Sequence, residues 1–506
     1  MRSQAKKSII ALAITASIGM SASAFAASDN EATINQTISV AADAAVVGQE
    51  VVVTQTGDLN ITTVDQTGDD QTATITQDGV WHEAYVTSEG ESNNVEVDQV
   101  DDWHVSSIDI EGNGNEAITD QTGFWNQSDA NVIGNENSVD VLQVGVTNTS
   151  DIDLIGDSNT AVVDQAGDNN EALFLVEGDN NDGSITQIGN DNLGGMVSLL
   201  VTPNLGNNND VTIYQEGDFN GGAVQGVDGN NNTFDVNQVG DSNLGLVYAL
   251  VGDDNTINID QDGNSNLAFM EFTAGDGNDV TITQNGDGNV IGDILIADVQ
   301  GSENTITIDQ VGDTNGAEFQ VWGDENTIDL DQTGDTNFAT FGVYGDENDL
   351  TLVSTGDNNQ IVAFAVLDGN EINVEQEGDL NYTEVVAEGF DNVITSEQFG
   401  NENEAIVTVA GDLNVEVDTL QTGDLNVIDL LISGDENYAN ITQLGDGNWV
   451  GGDNGTAEFA VVGDNNSLTV SQTGNDNLVM GSQTGTENMI SVTQMGDFNT
   501  ATVIQN

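Results

Sequence analysis

Positively charged side chains, cysteine and proline are almost absent from this sequence. Its 506 residues include three Lys and Arg, one Pro and no Cys, against 87 Asp and Glu, and the formal net charge at pH 7 is −84. Nucleic-acid binding relies on Lys and Arg to neutralise phosphates, and P-loops require a Lys. The absence of Cys excludes disulfides and thiol chemistry.

The N-terminus of the sequence, up to Ala26, has the layout of a secretory signal peptide. The three basic residues all fall in the first seven positions: Arg2, Lys6 and Lys7. They precede an apolar run at 9–14 and a small-residue stretch that ends Ala24-Phe25-Ala26. This stretch is too short and wrongly flanked for a membrane span, so we predict cleavage after Ala26 and no membrane insertion. The remaining chain has no Lys or Arg, which excludes nucleic-acid binding, P-loop chemistry and salt bridges.

The string Gly-x-x-Asn recurs with a fixed spacing over most of the chain. From Gly57 to Gly189 the Gly returns at every eleventh position, with Asp101 the one replacement, and the register continues with a few longer arms to Gly496. High charge and low hydrophobicity would favour disorder, but a disordered chain does not keep such a register. We therefore predict one repeat array instead of the roughly three domains that the length alone suggests.

A glutamine two positions before the Gly recurs in every second arm and so doubles the period. Gln55 and Gln77 begin this series, whereas the same position in the alternate arms is apolar or small, as in Val321. The repeat unit is therefore predicted to consist of two unlike 11-residue arms. The three longest arms all lack the Gln: residues 190–205, 287–300 and 446–462. We expect the Gln side to be regular and the other side to tolerate bulges.

Within each arm the side chains alternate between two faces. Asn304, Ile306, Ile308 and Gln310 share one face, and this alternation between Gly-Asp-x-Asn turns is typical of short strands. We predict an all-β, two-sided parallel β-solenoid over residues 49–506, with 22-residue coils of two strand–turn arms and about 20 coils. The Gly position is expected to need a positive φ or a close backbone approach. Stacked amides are expected to form hydrogen-bonded ladders, whose predicted members with their turn glycines include Asn304, Gln310, Gly312, Asn315, Asn326, Gln332, Gly334, Asn337, Gln376, Gln398 and Gln494.

These repeats resemble the curlin repeat, Ser-x5-Gln-x-Gly-x-Gly-Asn-x-Ala-x3-Gln. Three close copies are Asn304-x5-Gln310-x-Gly312-x-x-Asn315-x-Ala317, Asn326-x5-Gln332-x-Gly334-x-x-Asn337-x-Ala339 and Asn392-x5-Gln398-x-Gly400-x-x-Asn403-x-Ala405. One such string is a weak signal, but some 19 in register resemble a curli-type fibre subunit over nearly the whole mature chain. The opening Ser is usually Asn here, the second Gln is mostly apolar, Asp often follows the turn Gly, and the repeats are more numerous than is usual in the family.

The resemblance implies a secreted structural protein that polymerises with itself. It implies export through an outer-membrane pore of a Gram-negative bacterium, a nucleator partner, and pilus-like extracellular amyloid fibres that support cell adhesion and biofilm. Residues 27–48 are then a flexible secretion segment or a partial N-terminal cap. The arm from Asn499 to Asn506 keeps its register, which favours end-to-end assembly. The alternative is a monomeric acidic solenoid that serves as a surface adhesin or a cation-binding spacer.

The Asp after the turn Gly recurs along the array, as in Asp313, Asp335 and Asp357. Like charges one coil apart repel by roughly 1 kcal/mol in water. These residues either delay assembly until acid, salt or divalent cations relieve the repulsion, or they are solvated turn residues that keep the chain soluble. Calcium sites of the nonapeptide-repeat type need a period of nine, whereas the period here is eleven. We therefore expect divalent cations to bind diffusely and not at specific sites of that type.

Two histidines occupy the Asn position of consecutive repeats. His82 and His104 are one repeat unit apart, and each follows a Trp. Stacked on adjacent coils, they could bind a transition metal or titrate near pH 6.5. We expect instead that they replace Asn as ladder residues. Carboxylates are too widespread to single out an acid–base pair. We therefore expect no enzyme activity, no catalytic residue and no cofactor, and the sequence identifies no metal ligands.

Overall fold

A computed structural model describes residues 29–37, 49–196, 204–292, 298–452 and 458–506, and the regular structure in these residues is β-strand throughout. The predicted signal peptide and most of the segment 27–48 lie outside the described residues. The chain forms two compact units, Met1–Gln187 and Ile188–Asn506. The described residues include no helix long and apolar enough to cross a membrane.

The first unit contains the strands up to β14, the last of which extends one residue beyond it. These strands are β1 Glu31–Thr37, β2 Glu50–Asp58, β3 Ile61–Asp69, β4 Thr72–Val80, β5 Glu83–Glu91, β6 Asn94–Asp102, β7 Val105–Glu111, β8 Glu116–Phe124, β9 Gln127–Ile133, β10 Ser138–Val146, β11 Thr149–Ile155, β12 Thr160–Asp168, β13 Glu171–Glu177 and β14 Asp182–Ile188.

The second unit contains the remaining described strands. These are β15 Leu193–Met196, β16 Asn204–Leu205, β17 Asp210–Glu216, β18 Gly221–Gln225, β19 Thr233–Val239, β20 Leu244–Val251, β21 Thr256–Asp262, β22 Leu267–Ala274, β23 Asp279–Asn285, β24 Val290–Ile291, β25 Asp298–Gln300, β26 Thr305–Val311, β27 Gly316–Glu318, β28 Gln320–Val321, β29 Thr327–Thr333, β30 Phe338–Thr340, β31 Asp349–Thr355, β32 Gln360–Ala365, β33 Glu371–Glu377, β34 Tyr382–Glu388, β35 Val393–Phe399, β36 Glu404–Ala410, β37 Glu416–Thr422, β38 Val427–Ser433, β39 Tyr438–Leu444, β40 Trp449–Gly451, β41 Phe459–Val462, β42 Ser467–Thr473, β43 Leu478–Thr484, β44 Met489–Met495 and β45 Thr500–Gln505.

Strands pair in parallel with the equivalent strand of the next coil, and each coil contributes one arm to each of two sheets. In the sheet that carries the Gln series, here called the Gln sheet, β2 pairs with β4 and Gln55 lies opposite Gln77. In the opposite sheet β3 pairs with β5. The prediction of a two-sided parallel β-solenoid with 22-residue coils and about 20 turns is confirmed.

The core of each unit lies between its two sheets, because the alternation seen in the sequence directs every second side chain inward. In β26 the side chains of Ile306, Ile308 and Gln310 are buried, while Thr305 is exposed. In the next arm Phe319 is fully buried. Burying one large aliphatic or aromatic side chain contributes ~1.5–3 kcal/mol. One coil cannot cover its own inward face, so this contribution depends on the neighbouring coils.

Irregularities are concentrated in the sheet opposite the Gln sheet, as predicted. Strands are split or shortened there in each long arm, where β15 and β16, β24 and β25, and β40 and β41 take the place of single strands. The same is seen at β27 and β28, which flank Phe319. By contrast, every strand of the Gln sheet has seven or nine residues in the described part of the chain. The residues 197–203, 293–297 and 453–457 of the long arms lie outside the described residues.

The first described strand lies inside the segment predicted to serve secretion. Strand β1 pairs in parallel with β3, and Glu31 lies opposite Ile61. The Nε2 of Gln36 donates a 2.9 Å hydrogen bond to the Oε1 of Gln66. Residues 31–37 thus continue the sheet opposite the Gln sheet, although their offset from the partner strand is larger than one 22-residue coil.

Candidate functional site: ladders along the coils

The glutamines of the Gln sheet form a continuous amide ladder over most coils. The Oε1 of Gln310 accepts a hydrogen bond from Gln284 (3.0 Å), and its Nε2 donates to the Oε1 of Gln332 (2.8 Å). In Gln398 the Nε2 donates both to the Oε1 of Gln421 (2.8 Å) and across the core to the carbonyl of Tyr382 (3.0 Å). A buried amide left without partners is costly, so these bonds link each coil to the next and each sheet to the other.

The ladder is interrupted at Ser354. Ser354 takes the place of Gln and lies opposite both Gln332 and Gln376 in the sheet register. Its buried Oγ has no partner, and neither has the Oε1 of Gln376. The ladder resumes at once, because Gln376 donates a 3.0 Å hydrogen bond to Gln398.

The turn asparagines form a second kind of ladder. The backbone N–H of Asn326 donates to the Oδ1 of Asn304, one coil earlier (2.9 Å). The Nδ2 of Asn304 donates to the carbonyl of Gly323, the turn glycine of the following coil (2.8 Å). Asn315 and Asn337 repeat this arrangement at the other turn edge. Each Asn therefore joins three coils and holds its turn against both neighbours.

The turn glycines meet two requirements that disfavour a side chain, although Asp101 occupies the same position in one coil with a φ of +85°. Gly312 and Gly334 have φ of +117° and +113°. A Cβ built on Gly312 would lie 2.2 Å from the carbonyl oxygen of Gly334. The prediction of a positive φ or a close backbone approach is confirmed, and both residues show the two features together. In addition, the residue before the Asn is left-handed, as in Thr314 (φ +59°), which the sequence pattern did not indicate.

The structure therefore brings the predicted ladder residues together in rows. Asn304 and Asn326 lie at one turn edge, and Asn315 and Asn337 lie at the other with Gly312 and Gly334. The glutamines fall in the interior row of the Gln sheet. In the last described coil, Gln494 accepts a 2.9 Å hydrogen bond from Gln472 and donates to the carbonyl of Leu478 (3.0 Å).

In many coils the residue two positions after the Asn is small, for a steric reason that the sequence reasoning missed. It lies opposite the Gln amide in the core. Thr383 at this position donates to the Oε1 of Gln398 (2.9 Å). A Cβ built on Gly222 at the equivalent position would lie 3.3 Å from the Nε2 of Gln215. Ala317 and Ala339 occupy the same register position, where their short side chains leave space for the amide ladder.

The turn aspartates are hydrogen-bond acceptors as well as charges. The Oδ1 of Asp335 accepts from the backbone N–H of Asp313 (3.0 Å), and Asp357 does the same for Asp335 (2.9 Å). Asn401 continues this row by accepting from Asp379 (2.9 Å). Sequence reasoning treated these residues as a charge barrier or as solvated turns and missed the bond. The signal was available, since Asn, which offers an acceptor without a charge, is a frequent replacement at this position.

Further acids line the outward faces of the strands. The pKa of Asp120 is raised by burial and by the nearby charges of Asp98, Glu96 and Asp140. The pKa of Asp309 is raised by burial and by Asp331 and Asp329. In both cases the carboxyl group is partly removed from water beside like charges of neighbouring coils, and both effects disfavour the ionised form.

His82 and His104 act as ladder residues, as expected. Their rings are stacked with centroids 5.2 Å apart, and both side chains are fully buried. The Nδ1 of His82 accepts from the backbone N–H of His104 (3.4 Å), as the Oδ1 of Asn does elsewhere. The Nε2 of His104 lies 2.7 Å from the carbonyl of Val100 and donates to it. Burial lowers the pKa of both, that of His104 to about 4. Among the described residues, no group of three or more His, Asp or Glu side chains is placed to hold a metal ion.

Comparison with known families gives a match along much of the chain. The profile described as Curlin associated repeat matches ten segments, eight of which overlap a neighbour and which together cover more than half of the sequence: residues 50–79, 68–100, 112–145, 134–167, 156–189, 206–240, 229–263, 252–286, 323–356 and 463–496. A comparison with curated proteins gave no match.

Proposed function

Since this chain belongs to the curlin repeat family, we propose that it is a structural subunit of extracellular, curli-like amyloid fibres that support cell adhesion and biofilm. Members of this family are extracellular and structural. The proposal includes self-polymerisation, export through the outer-membrane pore of a Gram-negative bacterium and a nucleator partner. It assigns residues 1–26 to a cleaved signal peptide and residues 27–48 to a secretion segment.

The observation that carries the proposal is the equivalence of successive coils. In most coils the Gln donates from Nε2 toward the following coil and the Asn accepts at Oδ1 from the backbone of that coil, as in Gln310–Gln332 and Asn304–Asn326. A coil of a second copy offers the same donors and acceptors at the same positions. Stacking of this kind is head-to-tail, and a head-to-tail contact that does not close produces filaments.

The aspartate rows suit a role in timing assembly. Asp313, Asp335 and Asp357 follow one another along a turn edge, and no Lys or Arg follows residue 7 in the sequence. Repulsion between copies is reduced by protonation, by salt and by diffusely bound divalent cations. The fibre therefore forms faster in acid or in Ca²⁺ than at neutral pH and low salt.

The test is fibre formation by the purified chain without residues 1–26. Thioflavin fluorescence, electron microscopy and fibre diffraction should show filaments with a meridional reflection at ~4.7–4.8 Å. The lag time should shorten with acid and with Ca²⁺ compared with NaCl at equal ionic strength. A monomeric sedimentation profile at every salt concentration and pH would contradict fibre assembly and favour the monomeric adhesin or spacer. A lag indifferent to pH and Ca²⁺ would contradict the timing role alone.

A further inference from the structure

An exposed strip of aromatic and aliphatic side chains runs along one turn edge of the first unit. We define this aromatic ridge as Val80, Trp81, Trp103, Phe124, Trp125 and Val146, which are the last residues of β4, β8 and β10 or the residues that directly follow β4, β6 and β8. It holds three of the five tryptophans of the sequence. Trp81, Trp103 and Trp125 are 43%, 39% and 53% exposed. These indoles therefore contribute little to the core.

The ridge side chains are ordered against one another. The rings of Trp81 and Trp103 are parallel within 7° with centroids 5.0 Å apart. Trp103 meets Trp125 edge-on at 5.8 Å, and Phe124 is stacked with Trp125 at 5.8 Å. Such pairs contribute ~0.5–1.5 kcal/mol each beyond their buried area. The ridge is thus a preformed surface whose side chains lose little conformational freedom on binding.

The turn itself does not require tryptophan. Trp81, Trp103 and Trp125 have φ between +61° and +69°. The equivalent residue of the next coil is Thr147, which adopts φ +59° without an aromatic ring. Large exposed aromatic groups that serve neither turn nor core are typical of interaction surfaces.

Charge indicates which partner fits this surface. The turn position that carries Asp58 and Asp168 in flanking coils is occupied by Val80, Phe124 and Val146 in the ridge. Asp102 is the exception, and its Oδ1 accepts a 3.2 Å hydrogen bond from the backbone N–H of Val80. The net charge of −84 makes copies repel one another, and the ridge is a part of the turn edge where few carboxylates oppose their approach. A cationic partner would instead be drawn to the acidic turns.

We propose that the aromatic ridge is the surface through which two copies of this chain associate side by side. The contact is isologous, which means that the ridge of one copy packs against the ridge of the other. The indoles lie at its centre, and the acidic turns on either side form its charged rim. This lateral contact goes beyond fibre assembly. In a fibre it recurs once per subunit, so that weak individual contacts add along two adjacent filaments.

The experiment compares the soluble chain without residues 1–26 with a triple variant, W81T/W103T/W125T, in which Thr copies the residue of the next coil. Sedimentation velocity is measured over a concentration series in low salt and in about 1 M NaCl, where the Debye length is ~3 Å. The wild type should form a salt-promoted dimer, and its Trp emission should shift to the blue with concentration. The triple variant should raise the dimer dissociation constant at least about tenfold.

Two further variants control for folding and for tryptophan content. Trp322→Thr removes an indole that is 50% exposed outside the ridge and should leave the dimer unchanged. Val146→Asp restores the aspartate of the flanking coil, provides an acceptor for the backbone N–H of Phe124 and should weaken the dimer while preserving the thermal unfolding midpoint. A wild type that stays monomeric in high salt, a triple variant that associates like the wild type, or Trp emission that is already blue-shifted and independent of concentration would overturn the proposal.

Electron microscopy separates this proposal from fibre assembly. Wild-type fibres should appear as paired filaments, and fibres of the triple variant should be single filaments of equal total mass. If no fibres form, the sedimentation series still decides the role of the ridge. If fibres of both proteins are paired to the same extent, the ridge proposal fails while fibre assembly stands.

Discussion

The Oδ1 of Asp335 accepts a 3.0 Å hydrogen bond from the backbone N–H of Asp313, the equivalent residue one coil earlier. A carboxylate at this position therefore has two opposed effects. It satisfies a turn N–H that would otherwise face solvent, and it adds a negative charge beside the same charge in both neighbouring coils. The two effects can be separated by mutation, because Asn provides the acceptor without the charge.

Asp335→Asn should preserve the unfolding midpoint and shorten the fibre lag, whereas Asp335→Ala should lower stability by about 1 kcal/mol. Asn401 and Asn475 already occupy this row, and their Oδ1 atoms accept the same hydrogen bond from the backbone N–H of the preceding coil. Chemical denaturation and thioflavin kinetics measure the two quantities. Equal lag times for Asp335→Asn and the wild type would show that the charge has no part in timing.

Gln398→Leu should destabilise the second unit by about 3–5 kcal/mol. The change removes the acceptor for Gln376 and Thr383 and the donor to Gln421 and Tyr382, and each unsatisfied buried group costs ~1–3 kcal/mol. The matched control is Gln360→Leu, an exposed position that should change stability by no more than ~0.5 kcal/mol. Equilibrium denaturation of the two variants checks the difference, and similar values would contradict a structural role for the ladder.

Gly312→Ala should destabilise the chain by about 2–3 kcal/mol, because the new Cβ would meet the Gly334 carbonyl in a backbone conformation that disfavours side chains. Gly114→Ala is the control. Gly114 also has a positive φ, +70°, but its Cβ would meet nothing closer than 3.7 Å. Gly114→Ala should therefore lower the free energy of unfolding by less than ~1 kcal/mol. If both variants lost the same stability, the close approach to the next coil would not be the cause.

Acidification from pH 7 should stabilise the fold through its outward acid rows. The folded-state pKa values of Asp120, Asp164 and Asp309 are raised by burial and by neighbouring like charges. The folded state therefore binds these protons more readily than the unfolded chain, and stability is lost as pH rises through the raised values. The denaturation midpoint should increase as pH falls toward 4, and Asp309→Asn should flatten this dependence. A denaturation midpoint that decreases steadily as pH falls from 7 would contradict stabilisation by the acid rows.

The buried histidine pair should have the opposite dependence. Burial lowers the folded-state pKa of His104 from 6.5 to about 4, so its contribution is complete above pH 6.5 and is lost as pH falls toward 4. The double variant His82→Asn/His104→Asn replaces the pair by the usual ladder residue. Its stability relative to wild type should increase between pH 7 and pH 4.5, as measured by denaturation or by hydrogen exchange of β5 and β7. A pH-independent difference would exclude titration of the pair.

Much of the fold follows from the repeat, because one geometry copied along the chain makes a local pattern sufficient. The burial of Ile306 and Ile308 was predicted from period two, and the rows of Asn304 and Gln310 were predicted from the 22-residue spacing. The opposite sheet was correctly expected to be the irregular one. The spacing also identified His82 and His104 as ladder members before their geometry was known.

Features that depend on the position of individual atoms were not predictable. The residue before the Asn carries no compositional mark of its left-handed conformation, as Thr314 illustrates. Strand β1 was not predicted, because Gln36 and its partner Gln66 do not follow the 22-residue register of the other coils. The bond from Asp313 to Asp335 required knowledge of where a carboxylate lies relative to the next backbone.

The spacing between ladder partners varies, but their separation in space does not. Glutamines that are 22, 23, 26 and 29 residues apart along the chain all meet with amide hydrogen bonds of 2.8–3.0 Å. Thr305 and Thr327 lie opposite each other in this register. Excision of residues 305–326 would join Asn304 directly to Thr327 and leave Gln284 facing Gln332. The number of coils can therefore change by one whole coil while the remaining coils keep the same kinds of ladder hydrogen bond.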